Sequence, residues 1–89
     1  MIYAYISADG KRKPIESDRP LPLERLQALV GGLIEFVAMP DGTELCVNEE
    51  GRVRDLPRNA RYPAVRGDVV VGRRVYTQDL SEVEFVGLI

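Results

Sequence analysis

The sequence predicts an α+β fold: one helix packed on a mostly antiparallel sheet of five to six strands, with a central three-stranded meander. Three observations carry this expectation. Several short segments alternate apolar and polar residues with a period of two, as half-buried strands do. One segment instead repeats apolar residues at helical spacing. Tight turns ending in Gly join neighbouring strand segments, and connections that short make antiparallel neighbours.

The elements follow in chain order. Ile2, Ala4 and Ile6 alternate with Tyr3, Tyr5 and Ser7, a strand with an aliphatic face and a tyrosine face. Asp9-Gly10 turns the chain, and Lys11 to Glu16 returns as a short strand that Pro14 confines to a sheet edge. Pro22 suits the first helical position, where its missing N–H is not needed. Leu23, Leu26, Leu29 and Val30 then form one apolar helix stripe, which Gly31 ends in the left-handed conformation. The helix, over 22–30, is expected to pack on Ile2, Ile6, Ile34, Phe36, Leu45 and Phe85. Leu33 to Met39 is a strand, Pro40-Asp41-Gly42 a hairpin turn, and Thr43 to Asn48 the next strand, with Leu45 and Val47 facing the core. Glu49-Glu50-Gly51 turns into a third strand, Arg52-Val53-Arg54, with Val53 inward; these three strands make the meander. Leu56 to Asn59 is loop or a single helical turn. Val69 to Tyr76 is a valine-rich strand in which Gly72 suggests a bulge. Asp79-Leu80-Ser81 turns the chain into a last strand carrying Val83, Phe85 and Ile89.

Composition bounds the class. The 89 residues, 45% hydrophobic and 29% charged, make a single domain over 1–89 and exclude a disordered or collagen-like chain. No apolar run approaches the ~20 residues that span a bilayer, and no targeting segment is visible. A lone Cys46 fits a reducing compartment, so a cytoplasmic location is expected. There is no His, which removes imidazole chemistry. The net charge of −2 argues against general nucleic-acid coating. That mean conceals an asymmetry. Arg52 to Arg74 holds seven Arg against Asp55 and Asp68 (7 − 2 = +5), and the rest holds five Lys/Arg against twelve Asp/Glu (5 − 12 = −7). An arginine-rich segment in an acidic chain can form a local anion site.

Several motifs occur in order along nearly the whole chain: Leu26-Gln27-x-Leu29-Val30-Gly31-Gly32-x-Ile34-Glu35, then Cys46-Val47-Asn48-Glu49-Glu50-Gly51, then Leu56-Pro57-x-Asn59, then Asp68-x-Val70-x-Gly72. In these the chain resembles the uncharacterised domain-of-unknown-function family 3846, small proteins of bacteriophages, plasmids and their bacterial hosts. The resemblance implies origin on a mobile element and implies no enzyme and no catalytic residues. The chain departs from the pattern at Arg58 and at Arg73-Arg74, and both departures enlarge the arginine cluster. The motif residues also have a purely structural reading, since Gly, Pro and Asn favour turns for backbone reasons.

Catalytic constellations are missing from the sequence. Ser7, Ser17, Ser81 and Cys46 have no His base, and Lys11 and Lys13 lie in a polar hairpin beside Arg12. Glu49-Glu50 is a tight-turn pair rather than a metal site, and Gly31-Gly32 ends a helix where a phosphate loop would begin one. The candidate binding residues are Arg58, Asn59, Arg61, Tyr62, Arg66, Arg73 and Arg74, because the planar guanidinium binds carboxylate or phosphate in a bidentate way. The alternative is a solvated or ion-paired face. Arg52 and Arg54 are expected to pair across the sheet with Glu44 and Glu35. Tyr3 and Tyr5 invite comparison with a base-stacking face, or could cover a sheet edge; with Val86 and Leu88 they leave a homo-oligomer open. The expected function is a non-catalytic binding module, without cofactor, that contacts a host protein. Capture of a small anionic ligand such as a nucleotide is the alternative, and a structural or assembly role the third. Nucleic acid and membrane are not expected partners.

Overall fold

Two apolar clusters on opposite faces of one sheet organise the chain. The computed structural model describes residues 1–76 and 83–89. The elements are β1 (Ile2–Ile6), β2 (Arg12–Glu16), α1 (Leu23–Val30), β3 (Ile34–Ala38), β4 (Glu44–Asn48), β5 (Val69–Tyr76) and β6 (Val83–Val86). Strands run in the order β2-β1-β5-β4-β3, with β6 paired to the outer half of β5. The pairings among the described residues are antiparallel, as expected of hairpin-rich sequence.

The turn signals act as their chemistry predicts. Gly10 and Gly42 adopt φ of 89° and 88°, and Gly31 caps α1 at φ 81° with its N–H on the Gln27 carbonyl, 2.8 Å away. Pro14 lies on edge strand β2, opposite Ala4. The Asp79-Leu80-Ser81 turn lies outside the described residues.

Five expectations are corrected. Arg52-Val53-Arg54 is not a strand. Residues 50–56 coil on themselves through Arg54 N–H to Glu50 O (2.9 Å), Asp55 N–H to Arg52 O (3.1 Å) and Leu56 N–H to Gly51 O (2.9 Å), and Val53 is 87% exposed. The open edge of β4 goes to β5, because Val69, Val70 and Val71 bury apolar side chains on both faces where Val53 offers one. The meander is therefore β3-β4-β5, with a long excursion before its last strand.

The core is also divided differently. Tyr3, Cys46, Val70 and Phe85 meet Leu26 and Val30 on the helix side, while Ala4, Ile6, Leu45, Val47, Val69 and Val71 form a second cluster. Ile6 and Leu45 thus lie away from the helix. The tyrosine face of β1 takes the helix, and the aliphatic face is covered by Tyr62 and Val65 of the excursion. Tyr3 is only 1% exposed; its hydroxyl donates to the Phe85 carbonyl (2.6 Å) and accepts from the Leu21 N–H (3.1 Å), tying the approach of α1 to β6.

The helix starts at Leu23, with Pro22 as an extended N-cap, and Leu23 is 52% exposed, so the buried stripe is Leu26 and Val30, with Leu29 partly buried beside them. Gly72 makes no bulge: it stands opposite Glu44 at the end of an unbroken register with β4, and the β6 register starts at the next residue, Arg73. It is needed for close approach, since a Cβ there would sit 2.5 Å from the Val86 carbonyl oxygen and 2.7 Å from the Phe85 ring. Ile89 lies beyond β6 and is exposed, though its carbonyl accepts from the Ile2 N–H at 2.9 Å.

The partly buried Tyr5 hydroxyl and the buried Cys46 thiol predict an alkaline limit to stability. Burial, then the Asp68 carboxylate, raises the Tyr5 phenol from 10.0 to about 12, and burial raises Cys46 from 9.0 to about 12. The folded state favours both protonated forms, so their stabilising effect is complete below the unfolded values and declines as pH rises from about 9 to about 12. Urea midpoints are expected to be level near neutrality and to fall across that window. A level midpoint up to pH 12 would contradict the enclosure of these groups.

Candidate functional site

The excursion between β4 and β5 carries the arginines, and three local devices shape it. Asn48, 5% exposed, donates from its side-chain amide to the Val30 carbonyl (3.1 Å) and accepts the Glu50 N–H (2.8 Å), anchoring the start of the coil to the end of α1. Gly51 lets the chain close on itself, since a Cβ there would lie 2.8 Å from the Arg66 carbonyl oxygen. Asp55 takes φ 51°, a left-handed conformation that Asp tolerates, and turns the chain back.

Asn59 holds the far side. It is completely buried; its amide nitrogen lies 3.0 Å from the Gly67 carbonyl and 3.3 Å from that of Ile6, and its oxygen accepts the N–H groups of Arg61 (2.9 Å) and Tyr62 (3.0 Å). The Asn59 N–H also donates to Val65 O at 2.8 Å, and Ala60 N–H to Ala8 O at 2.8 Å. Beside β1, Asp68 accepts the Ala8 N–H (2.8 Å) and the Tyr5 hydroxyl. Asn59 is thus a tie inside the loop, and its hydrogen-bonding groups are turned inward, not toward a ligand.

Between the coil and the returning loop lies an open cleft of about 410 Å³, lined by Arg52, Asp55, Arg58, Pro63, Ala64 and Arg66. Arg66 donates to Asp55 Oδ1 (3.1 Å) and to the Leu56 carbonyl (3.3 Å). With Asp55 90% exposed, this pair adds little stability; its effect is to orient the guanidinium. Three arginines against one carboxylate give the cleft walls a formal charge of 3 − 1 = +2. A carboxylate or phosphate entering it would meet planar donors on several sides.

The seven sequence candidates are not gathered in one place. Arg58 and Arg66 share the cleft. Arg61 stacks over Tyr62, 4.9 Å from the ring centre, at a neighbouring groove of about 490 Å³ that also touches Val37, Met39 and Val65. Arg73 is exposed near the Gly42 turn, where its charge helps to lower the Asp41 carboxyl behind the larger effect of hydrogen bonds from Thr43. Arg74 lies over Phe36 on the helix side, paired with Glu44, its Nη2 at 3.0 Å from Oε1. The expected Arg52–Glu44 and Arg54–Glu35 pairs are absent among the described residues. Glu44 is opposite Gly72 in the register, within reach of Arg74, and Arg54 instead caps α1 by donating to the Gly31 carbonyl at 2.8 Å.

Arg52 and Asp55 are cleft residues that sequence reasoning missed, because a residue expected in a strand was assigned a cross-strand partner. No spacing signal marks them; the left-handed Asp55 is visible only in the folded backbone. Glu49 and Glu50 are exposed, and no group of three metal-ligating side chains occurs among the described residues. No described helix is long and apolar enough to cross a membrane.

Fold and site together define a small α+β module whose sheet carries a helix on one face and an arginine-lined loop on the other. The chain belongs to the family described as domain of unknown function (DUF3846), whose model matches residues 2–88. Comparison with curated proteins and with solved structures gives no significant match.

Proposed function

We infer that the protein is a non-catalytic binding module, of mobile-element origin and cytoplasmic, that contacts a host protein by receiving a carboxylate-bearing segment in the cleft of Arg52, Arg58 and Arg66. The observation that carries this reading is the cleft itself: three guanidinium groups around an open depression with a single acidic wall residue. An open site suits a side chain presented by a larger surface, and rim arginines make up much of what proteins use to recognise acidic partners. The non-catalytic part is supported by the chain's lack of His and by Cys46, which is sealed from solvent with its thiol pushed up to about 12 and so is no nucleophile. Capture of a small phosphate-bearing ligand is the second reading, favoured by the same positive balance of the cleft.

Arg52→Gln combined with Arg58→Gln tests the cleft. Both side chains are exposed and neither has a partner among the described residues, so stability should change by less than ~0.5 kcal/mol each. Arg66 is left intact because it braces Asp55 and Leu56. Host proteins retained on the immobilised wild type are identified by mass spectrometry and titrated against both forms. Affinity is expected to fall tenfold or more, since a charge-assisted hydrogen bond contributes roughly 1.5–3 kcal/mol, and its salt dependence should shrink. Equal binding by the variant removes the cleft from the reading. No retained protein, with a clear rise in Tm from nucleotides, transfers it to ligand capture.

A further inference from the structure

The two edges of the sheet are not alike. Edge strand β2 carries Arg12, Lys13, Pro14 and Glu16, the charges and proline that keep an edge from pairing. Edge strand β3 reads Ile34-Glu35-Phe36-Val37-Ala38, with one charge and no proline. The β3–β4 register, Glu35 opposite Val47 and Val37 opposite Leu45, with Met39 N–H on Thr43 O (2.9 Å) and Glu49 N–H on Leu33 O (2.8 Å), turns the backbone groups of the odd-numbered residues toward β4. Those of Ile34, Phe36 and Ala38 therefore face outward. No described residue bonds to these three N–H and three C=O groups.

We propose that the β3 edge is a self-association surface, on which a second copy of this chain pairs its own β3 antiparallel about a two-fold axis at Phe36, joining two sheets into one. The strand is self-complementary in that register alone. Phe36 meets Phe36 of the second copy and Ile34 meets its Ala38, so all the outward groups of both edges are bonded. Glu35 faces Val37 of the second copy, not another carboxylate. Leu33, 53% exposed, gains an apolar neighbour in the second copy's Met39. At each end the register brings Asp41 of one copy toward Gly31 of the other, where Arg54 is docked on the Gly31 carbonyl, so opposite charges meet. A centre at Glu35 sets two carboxylates face to face. A centre at Val37 or Ala38 brings Pro40, which has no N–H, opposite an outward residue. Such a pairing is isologous and closed, so it stops at two copies. It uses none of the residues that line the arginine cleft and does not depend on the function proposed for that cleft.

Ala38→Pro removes an outward N–H without breaking the β3–β4 ladder, and the preceding Val37 is already extended. Sedimentation of the wild type over a wide concentration range should show a transition from 10.0 kDa to twice that mass. The variant should dissociate roughly tenfold or more readily, with a native melt, because two of the inter-copy bonds are lost. Should that variant fail to melt cooperatively, Ala38→Lys, at the same exposed position, replaces it. A nitroxide on Glu35→Cys reads the register: diagonal neighbours across the two-fold lie about 7–8 Å apart, so strong dipolar broadening is expected, absent for the label at Glu16→Cys on the other edge. Cys46 is buried and stays unlabelled. A wild type that is monomeric at every concentration, a dimer indifferent to both Ala38 variants, or an unbroadened Glu35 label each overturns the proposal.

Discussion

Asn59→Ala is expected to lower stability by at least about 3 kcal/mol, a large share of the ~5–10 kcal/mol available to a domain of this size. The amide oxygen organises the N–H groups of Arg61 and Tyr62, and the amide nitrogen serves the carbonyls of Gly67 and Ile6. Alanine supplies none of these partners, and each buried group left unpaired costs about 1–3 kcal/mol. Water cannot readily substitute, because the residue is wholly enclosed. The damage should be both global and local. Urea melts report the first. Loss of hydrogen-exchange protection at the Ala60 and Gly67 amides reports the second, since those amides belong to the loop that Asn59 holds. The variant should also lose cleft binding with every arginine still in place. A stability change under about 1 kcal/mol would mean that the loop does not depend on this tie.

Leu26→Ala should cost about 2–5 kcal/mol, the range for emptying a leucine-sized space in a packed core. Leu26 is 3% exposed and belongs to the cluster of Tyr3, Val30, Cys46, Val70 and Phe85, so the helix rests on the sheet through it. Leu23→Ala on the same apolar stripe is the contrast, expected within ~0.5 kcal/mol because that side chain is half exposed. Comparable losses at both positions in denaturant titrations would mean that Leu23 is covered as deeply as Leu26, against the helix placement described.

Much of the fold was legible because its signals are local. Gly31, Gly10 and Gly42 sit at positions whose positive φ only a residue without Cβ adopts easily, and each marks an element boundary. Period-two alternation located β1 and β4, and a valine-rich run located β5. The site was less legible. Arg58 and Arg66 were identified and do meet, but Asn59 proved to be internal bracing, and Arg73 and Arg74 sit away from the cleft. Arginine count along a sequence records charge, whereas a cleft depends on which loops return to the same place.

By itself, the sequence determined the class, the single helix with its left-handed cap, the hairpin turns at Asp9-Gly10 and Pro40-Asp41-Gly42 and an arginine-rich stretch within an acidic chain, because propensity, periodicity and charge act over a few neighbouring residues. Only the tertiary structure decided which face of β1 takes the helix, since Tyr3 and Ile6 are both apolar enough to be buried and alternation does not say under what. It also decided that β5, not Arg52-Val53-Arg54, completes the meander. That choice is a competition between segments far apart in the chain for the edge of β4. The valine run wins it because it buries apolar surface on both sides of the sheet, and the losing segment is left to coil at the surface and line the cleft.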